Sequence, residues 1–347
     1  MAVDYAANGW GAPSAGIYGP KTRQISNDTY TVYFTASNLP TIYSTGTVVV
    51  PLISASLTRI IRVTTTNIPL FGVAIAAKLN IDLNGNGIAT DSFDSRISTN
   101  GLYYASLSNT NGDIASLSGV INVGNSSIKG DVYLGPNAAN TIQNGTVTGN
   151  VYNDFNADYP DVGLPVPVTS WIPLSALGVQ TNIDGVSYSY YIGMSGDYSI
   201  SAANGSIYVA AGARVRLYIT GNFSPAYIRV AGSGSSAGSL RIYMGGASFT
   251  VSGQAIVDGG NAANLAYWGL PSNTSITMSG NASFVGTIYA PEADFKLGGG
   301  GSSIYDFVGS SITKTVTMNG HFSFHYDENL WRAGPARGYV ATAWREL

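Results

Sequence analysis

Two stretches near the C-terminal end repeat one another: Ile276-Thr-Met-Ser-Gly-Asn-Ala-Ser-Phe284 and, forty positions later, Val316-Thr-Met-Asn-Gly-His-Phe-Ser-Phe324. Looser copies are Phe249-Thr-Val-Ser-Gly-Gln-Ala-Ile256 and Tyr218-Ile-Thr-Gly-Asn222. A separation of forty residues equals two solenoid coils of ~20 residues each. The repeat therefore predicts a parallel β-helix, in which the short strands of each coil stack on those of the next about 4.8 Å away.

The rest of the chain also has a sequence pattern that favours short strands. From about residue 71, short runs of apolar and β-branched residues are punctuated by Gly and Asn, which tolerate the left-handed backbone of tight corners. No stretch combines a capping box with a 3.6-residue apolar period. We predict an all-β chain, a right-handed parallel β-helix, with a large β-sandwich as the alternative because the spacing of Gly221, Gly253, Gly280 and Gly320 is uneven.

The pattern divides the chain into three parts. Residues 1–70 predict a small antiparallel β unit that follows a flexible lead and caps the first coil; within it, residues 29–36 alternate between apolar and polar side chains. Residues 71–330 predict the β-helix, interrupted near residues 159–190 by an extended excursion. That excursion begins with Tyr159–Pro173, whose four prolines cannot continue a hydrogen-bonded ladder. Residues 331–347 are predicted to be a C-terminal tail.

Composition excludes several classes of function. Only 10% of the 347 residues are charged, whereas Gly (43) and Tyr (23) are abundant, so the surface is neutral and rich in hydroxyl groups. A net charge of −3 with scattered lysines argues against a nucleic-acid partner. The absence of Cys excludes a disulfide framework and thiolate metal sites. No segment approaches the ~18 consecutive apolar residues of a membrane span.

A C-terminal motif consists of Phe284-Val-Gly-Thr-Ile-Tyr-Ala-Pro-Glu-Ala-Asp294, Asp306-Phe-Val-Gly309 and Val316-Thr-Met-Asn-Gly-His-Phe-Ser-Phe-His-Tyr-Asp-Glu328. A central motif consists of Ile81-Asp-Leu-Asn-Gly-Asn-Gly87 and Asp91-Ser-Phe-Asp-Ser95. These motifs resemble an uncharacterised bacterial domain family found in PilX-type, type IV pilus-associated proteins. The resemblance covers roughly residues 70–330. It implies an exported protein seated in a membrane or pilus-like filament by an N-terminal hydrophobic helix, which we expect to precede this sequence. It supplies no catalytic residues.

The sharpest ligand-like motif is Asp82-Leu-Asn-Gly-Asn-Gly87, which matches the start of a calcium loop. The match then fails, because Phe93 stands at the twelfth position where a bidentate Glu is expected. Asn-Gly pairs are also common tight-turn signals, so a hydrogen-bonded turn is the competing interpretation. The candidate calcium ligands are Asp82, Asn84, Asn86, Asp91 and Asp94; no other cofactor is predicted.

A second candidate is the His321 and His325 pair with Asp327 and Glu328. Histidine with carboxylates suits a zinc or acid–base site. Because both histidines lie at the end of the predicted solenoid, a closing coil whose polar groups satisfy exposed backbone is the interpretation we favour.

Acidic residues are too few and scattered to predict a carbohydrate-cleaving centre. They are Asp154, Asp158 and Asp161 in a polar loop, and Asp258, Glu292, Asp294 and Asp306 further on. Tyr103, Tyr104, Tyr188, Tyr190 and Tyr191 are candidate platforms for sugars or proteins, although tyrosine is equally a favoured strand residue.

The sequence thus predicts a non-enzymatic, exported structural or adhesive protein at the bacterial cell surface. Its expected partners are pilin-like or surface proteins, or surface glycans. Two alternatives remain: a secreted β-helix polysaccharide lyase or glycoside hydrolase, and a purely structural filament subunit that associates head to tail.

Overall fold

The structure is a computed structural model that describes residues 10–50, 55–85, 89–142, 145–175, 181–201, 205–299, 305–320 and 322–347.

The chain divides into two compact units: Met1–Gly72 with Gly334–Leu347, and Val73–Ala333. The strands of the described residues are β1 (Ile17–Ile25), β2 (Asp28–Thr35), β3 (Thr41–Val49), β4 (Ser56–Pro69), β5 (Ile75–Ala77), β6 (Ile81–Leu83), β7 (Ala89–Phe93), β8 (Ile114–Ser116), β9 (Val120–Asn122), β10 (Ser127–Ile128), β11 (Val132–Leu134), β12 (Ala139–Thr141), β13 (Thr146–Val147), β14 (Val151–Tyr152), β15 (Ile172–Pro173), β16 (Thr181–Ile183), β17 (Val186–Tyr188), β18 (Tyr190–Ile192), β19 (Gly196–Ile200), β20 (Ile207–Val209), β21 (Arg214–Ile219), β22 (Tyr227–Val230), β23 (Ser239–Met244), β24 (Ser248–Val251), β25 (Ile256–Asp258), β26 (Leu265–Gly269), β27 (Ser275–Ser279), β28 (Ser283–Gly298), β29 (Tyr305–Met318), β30 (Phe322–Asp327) and β31 (Ala336–Glu346).

Helical structure is short in the described residues. Single 3₁₀ turns lie at Thr99–Gly101, Ala105–Leu107, Val168–Ser170, Gly234–Ser236 and Ala262–Asn264, and one four-residue α-helix lies at Leu330–Ala333. In this part of the chain, no helix is long and apolar enough to cross a membrane.

The first unit is an antiparallel sheet in the order β1-β2-β3-β4-β31. The antiparallel pairing expected for residues 1–70 is present, and the sheet gains a strand from the far end of the chain. β31 pairs with β4 from Ala336↔Pro69 to Glu346↔Ile61. The sequence had predicted a C-terminal tail for these residues of β31. The pairing has a plain cause: the edge of β4 has unpaired backbone groups, and β31 satisfies them over eleven residues.

The second unit contains a 24-stranded sheet within the described residues, and its neighbouring strands pair in parallel. The all-β prediction is confirmed, and a parallel sheet differs from the antiparallel sheets of the alternative sandwich. We use the term coil for the segment of chain between one strand and the next strand that pairs with it. Ile276 pairs with Phe295, which pairs with Val316, so the two repeats quoted above lie two coils apart, as their forty-residue separation predicts.

Alternation along each strand separates an inward row from an outward row. In β23, Leu240, Ile242 and Met244 are buried, whereas Ser239 and Arg241 are not. The inward rows stack from coil to coil; Phe307, for example, lies 4.8 Å from Phe284 and 4.1 Å from Phe324 between ring centroids. This stacking of apolar residues is the core of the unit.

Glycine residues stand at corners where neighbouring coils approach one another closely. A Cβ on Gly280 would lie 2.9 Å from the Gly253 carbonyl oxygen, and one on Gly320 would lie 2.2 Å from that of Gly299. Gly253 and Gly280 also adopt the left-handed backbone, with φ of 70° and 73°. Glycine is therefore required where coils approach this closely.

The coils do not stack in simple chain order. The last coils close on the first ones: β29 pairs with β5 and β6, and β30 pairs with β7. From there the chain extends in one direction through β8 and β11 to β14. On the other side, β15 pairs through β19, β21, β23 and β26 to β28. The connection 153–171 therefore carries the chain from one arm of the stack to the other; we call it the strap.

Candidate functional site

A buried polar cluster joins the two arms of the stack. His325 Nδ1 lies 2.5 Å from Asp91 Oδ1, and the two residues are directly paired between β30 and β7. Tyr103 donates its hydroxyl to Asp91 Oδ2 at 2.9 Å and stacks its ring on His325 with 3.5 Å between centroids. Lys129 Nζ lies 3.7 Å from Asp91 Oδ2. His325 and Asp91 are only 4% and 3% exposed. The cluster therefore fixes the loop that carries Tyr103 onto the coils.

Glu328 and Asp327 continue this cluster with hydrogen bonds. Glu328 Oε1 accepts bonds from Ser92 Oγ (2.8 Å), Asn109 Nδ2 (3.0 Å) and Asn111 Nδ2 (2.8 Å). Asp327 Oδ1 accepts the backbone N–H groups of Ser95 (3.1 Å) and Asn329 (3.0 Å). Burial raises the pKa of Asp327 from its ordinary value. These carboxylates are acceptors for the backbone and side chains of the 92–111 loop, as the closing-coil interpretation expects.

Four of the five candidate calcium ligands lie within the described residues, and these four occupy three separate places. Asp82 and Asn84 are together, because Asn122 of the adjacent coil donates to both, at 3.0 and 3.1 Å. Asp91 belongs to the His325 cluster. Asp94 binds the Arg96 guanidinium, and this hydrogen bond lowers the pKa of the carboxyl. Asn86 and His321 lie outside the described residues. Calcium binding by the five residues stays a prediction.

Within the described part of the chain, no group of three or more His, Cys, Asp or Glu side chains is arranged to hold a metal ion. The scattered acids each have local partners or face solvent. Glu292 pairs with Lys78 at 2.5 Å, Asp294 accepts the Thr315 hydroxyl at 2.7 Å, and Asp258 accepts the Gly260 N–H at 2.7 Å. The side chain of Asp306 lies outside the described residues, and the strap acids Asp154, Asp158 and Asp161 are exposed.

The predicted tyrosine platforms divide between core and surface. Tyr188 and Tyr190 are buried, and Tyr103 is part of the polar cluster. Tyr191 is exposed and stacks on Tyr208 of the next coil, with 5.6 Å between centroids.

A longer outward aromatic row, which was not predicted from the sequence, consists of Tyr218, Tyr243, Trp268 and Tyr289 on four successive coils. The strap lies against this row. Trp171 packs on Tyr218 and Tyr243 at 5.7 and 5.8 Å, and the Tyr289 hydroxyl donates to the Pro160 carbonyl at 2.7 Å. The row is therefore partly covered by the chain itself.

Comparisons with known proteins give one family match. Residues 225–333 match the model of DUF7305, a domain of unknown function. That match covers the coils from β22 to β30, including both C-terminal repeats. A competence-associated pilin, ComZ from Thermus thermophilus, aligns over 95% of this chain and 86% of its own, with 10% identity and a TM-score of 0.34. At that level the similarity shows nothing about function. No curated protein matches.

Proposed function

We propose that this chain is a non-enzymatic, exported protein of the bacterial cell surface, with a structural or adhesive role beside a type IV pilus. We also propose that its parallel sheet is a right-handed β-helix, the hand that parallel crossover connections favour. Its mechanism is presentation, because a stack of coils offers the same outward positions at regular intervals to a partner.

The observation that carries the proposal is how the second unit uses its polar groups. Asp91, Glu328, Asp294 and Asp258 hold loops and corners through hydrogen bonds within the chain. Catalytic carboxylates instead need room to reach a substrate. The outward rows carry aromatic residues, serine and threonine, which suit contact with a protein or a glycan.

The pilus association is supported by the PilX-type resemblance. The motifs that carry it, distant in sequence, are adjacent in space: Met318 pairs with Leu83, and His325 pairs with Asp91. The described residues of β6, β7, β29 and β30 in these motifs thus belong to paired strands of neighbouring coils. Pilin-like proteins, other surface proteins and surface glycans are the partners we propose.

The test is immunogold labelling of the native protein on intact source cells, together with a blot of the culture supernatant. We expect gold on filaments or on the cell envelope and little protein in the supernatant. Free protein in the supernatant with an unlabelled cell surface would reject display. A polysaccharide-cleavage screen of the purified chain then tests the lyase or hydrolase alternative, and turnover of any polymer would reject the non-enzymatic role.

A further inference from the structure

An arginine-lined groove lies on the outward face of β19, β21 and β23. Its volume is about 820 Å³, and Arg214, Arg216 and Arg241 line it together with Asp197. The 234–239 segment and Asn264 supply the rest of the polar lining. Every residue that lines the groove belongs to the second unit. We name it the arginine groove.

Strand register explains why these charges converge. Asp197 pairs with Arg216, and Arg216 pairs with Arg241, so three charged side chains follow one another on neighbouring coils. Arg214 lies two residues before Arg216 and therefore on the same face. Neighbouring coils are about 4.8 Å apart, and like charges placed directly opposite one another destabilise a sheet. The arrangement concentrates three of the chain's 16 basic residues.

One carboxylate cannot balance this cluster. Arg216 forms a two-pronged pair with Asp197, Nε to Oδ1 and Nη2 to Oδ2, each at 2.5 Å. Within the described residues, Arg214 and Arg241 have no ion-pair partner, and both are exposed. Among the residues that line the groove, Asp197 is the single acid. Two guanidinium groups are therefore open to an external anion.

We propose that the arginine groove binds an acidic polysaccharide whose sugar carboxylates pair with Arg214 and Arg241. A guanidinium fork matches a carboxylate in two hydrogen bonds. Ser235, Ser239 and Asn264 line the same groove and suit sugar hydroxyls. The proposal names a ligand class for the adhesive role and rests on that proposed function, because the polymer must meet the groove outside the cell.

The number and spacing of the charges favour a sparsely charged polymer. A uronic-acid chain carries one carboxylate on each sugar ring, whereas duplex DNA presents one charge about every 1.7 Å and is held by proteins through many phosphate contacts. Two open guanidinium groups on a chain of net charge −3 suit the first ligand better than the second.

The experiment measures binding of the purified full chain to fluorescent polygalacturonate at low ionic strength. The Arg214→Gln/Arg241→Gln variant should weaken binding by roughly 10- to 100-fold, since one charge-assisted hydrogen bond contributes about tenfold. The matched control is Arg23→Gln/Arg345→Gln, which makes the same charge change at two exposed residues of the first unit and should leave binding within about twofold. Asp197→Asn should strengthen binding severalfold by releasing Arg216.

Three results would overturn the proposal: no binding by the unmodified chain, equal weakening in the groove and control variants, or tighter binding of duplex DNA than of polygalacturonate through the same arginines. The surface role can fail independently. If cells show no surface label while the purified chain binds polygalacturonate, the display proposal is rejected and the proposal of glycan binding in the arginine groove is retained. Surface label with no glycan binding would do the opposite.

Discussion

At the scale of single residues, Asp91 is the centre of the cluster that joins β30, β7 and the Tyr103 loop. Asp91→Ala removes the acceptor for both His325 and Tyr103, so we expect the free energy of unfolding to fall by about 3 kcal/mol. Tyr103→Phe keeps the ring stacking and should cost only about 1 kcal/mol. Urea unfolding measures both changes. Asp154→Ala, at an exposed strap residue, is the control, and an Asp91→Ala variant as stable as this control would contradict the assignment.

The raised pKa of Asp113 predicts that the free energy of unfolding depends on pH. Burial raises its pKa to about 6, and the nearby Asp131 carboxylate acts in the same direction. The unfolded carboxyl titrates near 3.9, so between about pH 4 and pH 6 the folded state holds more protons than the unfolded state. The free energy of unfolding should therefore fall as pH rises through this window, by about 1–2 kcal/mol after allowance for partial exposure.

Asp113→Asn should reduce this fall while keeping an acceptor for the Asp131 N–H, which Asp113 Oδ1 binds at 2.7 Å. Asp327, whose pKa is also raised by burial, contributes a fall of the same sign that remains in this variant. Asp154→Asn, which makes the same change at an exposed site, should retain the full fall. Chemical unfolding at several pH values between 4 and 7 measures the slope. A slope as steep in Asp113→Asn as in the unmodified chain would show that Asp113 is not its origin.

The residue types of the polar cluster could be predicted from the sequence, but their pairing could not. His325 and Asp91 lie 234 positions apart, and their contact depends on the last coils closing on the first. No local spacing encodes this return. A usable signal did exist in the coils of β8, β11 and β14: Gly112-Asp113, Gly130-Asp131 and Gly149-Asn150 recur at 18 and 19 residues. There Asp113 and Asp131 each accept the backbone N–H of the next equivalent residue at 2.7 Å.

At the scale of elements, the glycine corners limit how closely coils can stack. Gly253 and Gly280 share a left-handed φ, but only the added Cβ of Gly280 would crowd the neighbouring coil. Gly253→Ala should therefore cost about 1 kcal/mol for backbone strain alone. Gly280→Ala should cost at least ~1 kcal/mol more, because the Gly253 backbone must shift. Thermal and urea unfolding of the two variants measure the difference, and equal costs would contradict close approach at this corner.

The attachment of the strap to the coils can be tested at Trp171. Trp171 is 5% exposed and anchors the strap on Tyr218 and Tyr243. Trp171→Ala should raise the rate of limited proteolysis within 153–171 by at least ~10-fold, since the strap loses its buried anchor. Val168→Ala, at a residue of the same segment that is 62% exposed, should leave the rate unchanged. Unchanged cleavage in both variants would show that other contacts hold the strap.

The type of secondary structure could be predicted from the sequence better than the order in which the strands pair. The strand-rich composition and the forty-residue repeat predicted the short strands and their parallel stacking. The prolines of Tyr159–Pro173 did not exclude the whole segment from the sheet, because Ile172–Pro173 pairs with β19. The route of the strap between the two arms, and the pairing of β31 with β4, depend on contacts between distant segments. Local propensity and periodicity carry no information about such contacts.

At the scale of the whole molecule, the chain is 10% charged, three of its eleven arginines line one groove, and most of the acidic residues named above accept hydrogen bonds. Such a distribution leaves an outward surface of hydroxyl and aromatic groups. This is the physical basis of the display proposal, and it requires those outward positions to face the medium around the cell.

The most direct test uses the absence of cysteine from the sequence. Ser235→Cys places a single thiol on an exposed position of the arginine groove, where a membrane-impermeant maleimide can reach it. The account predicts that intact source cells expressing this variant label as fully as lysed cells, with no labelling of the cysteine-free parent. Labelling that appears only after lysis would contradict display at the cell surface.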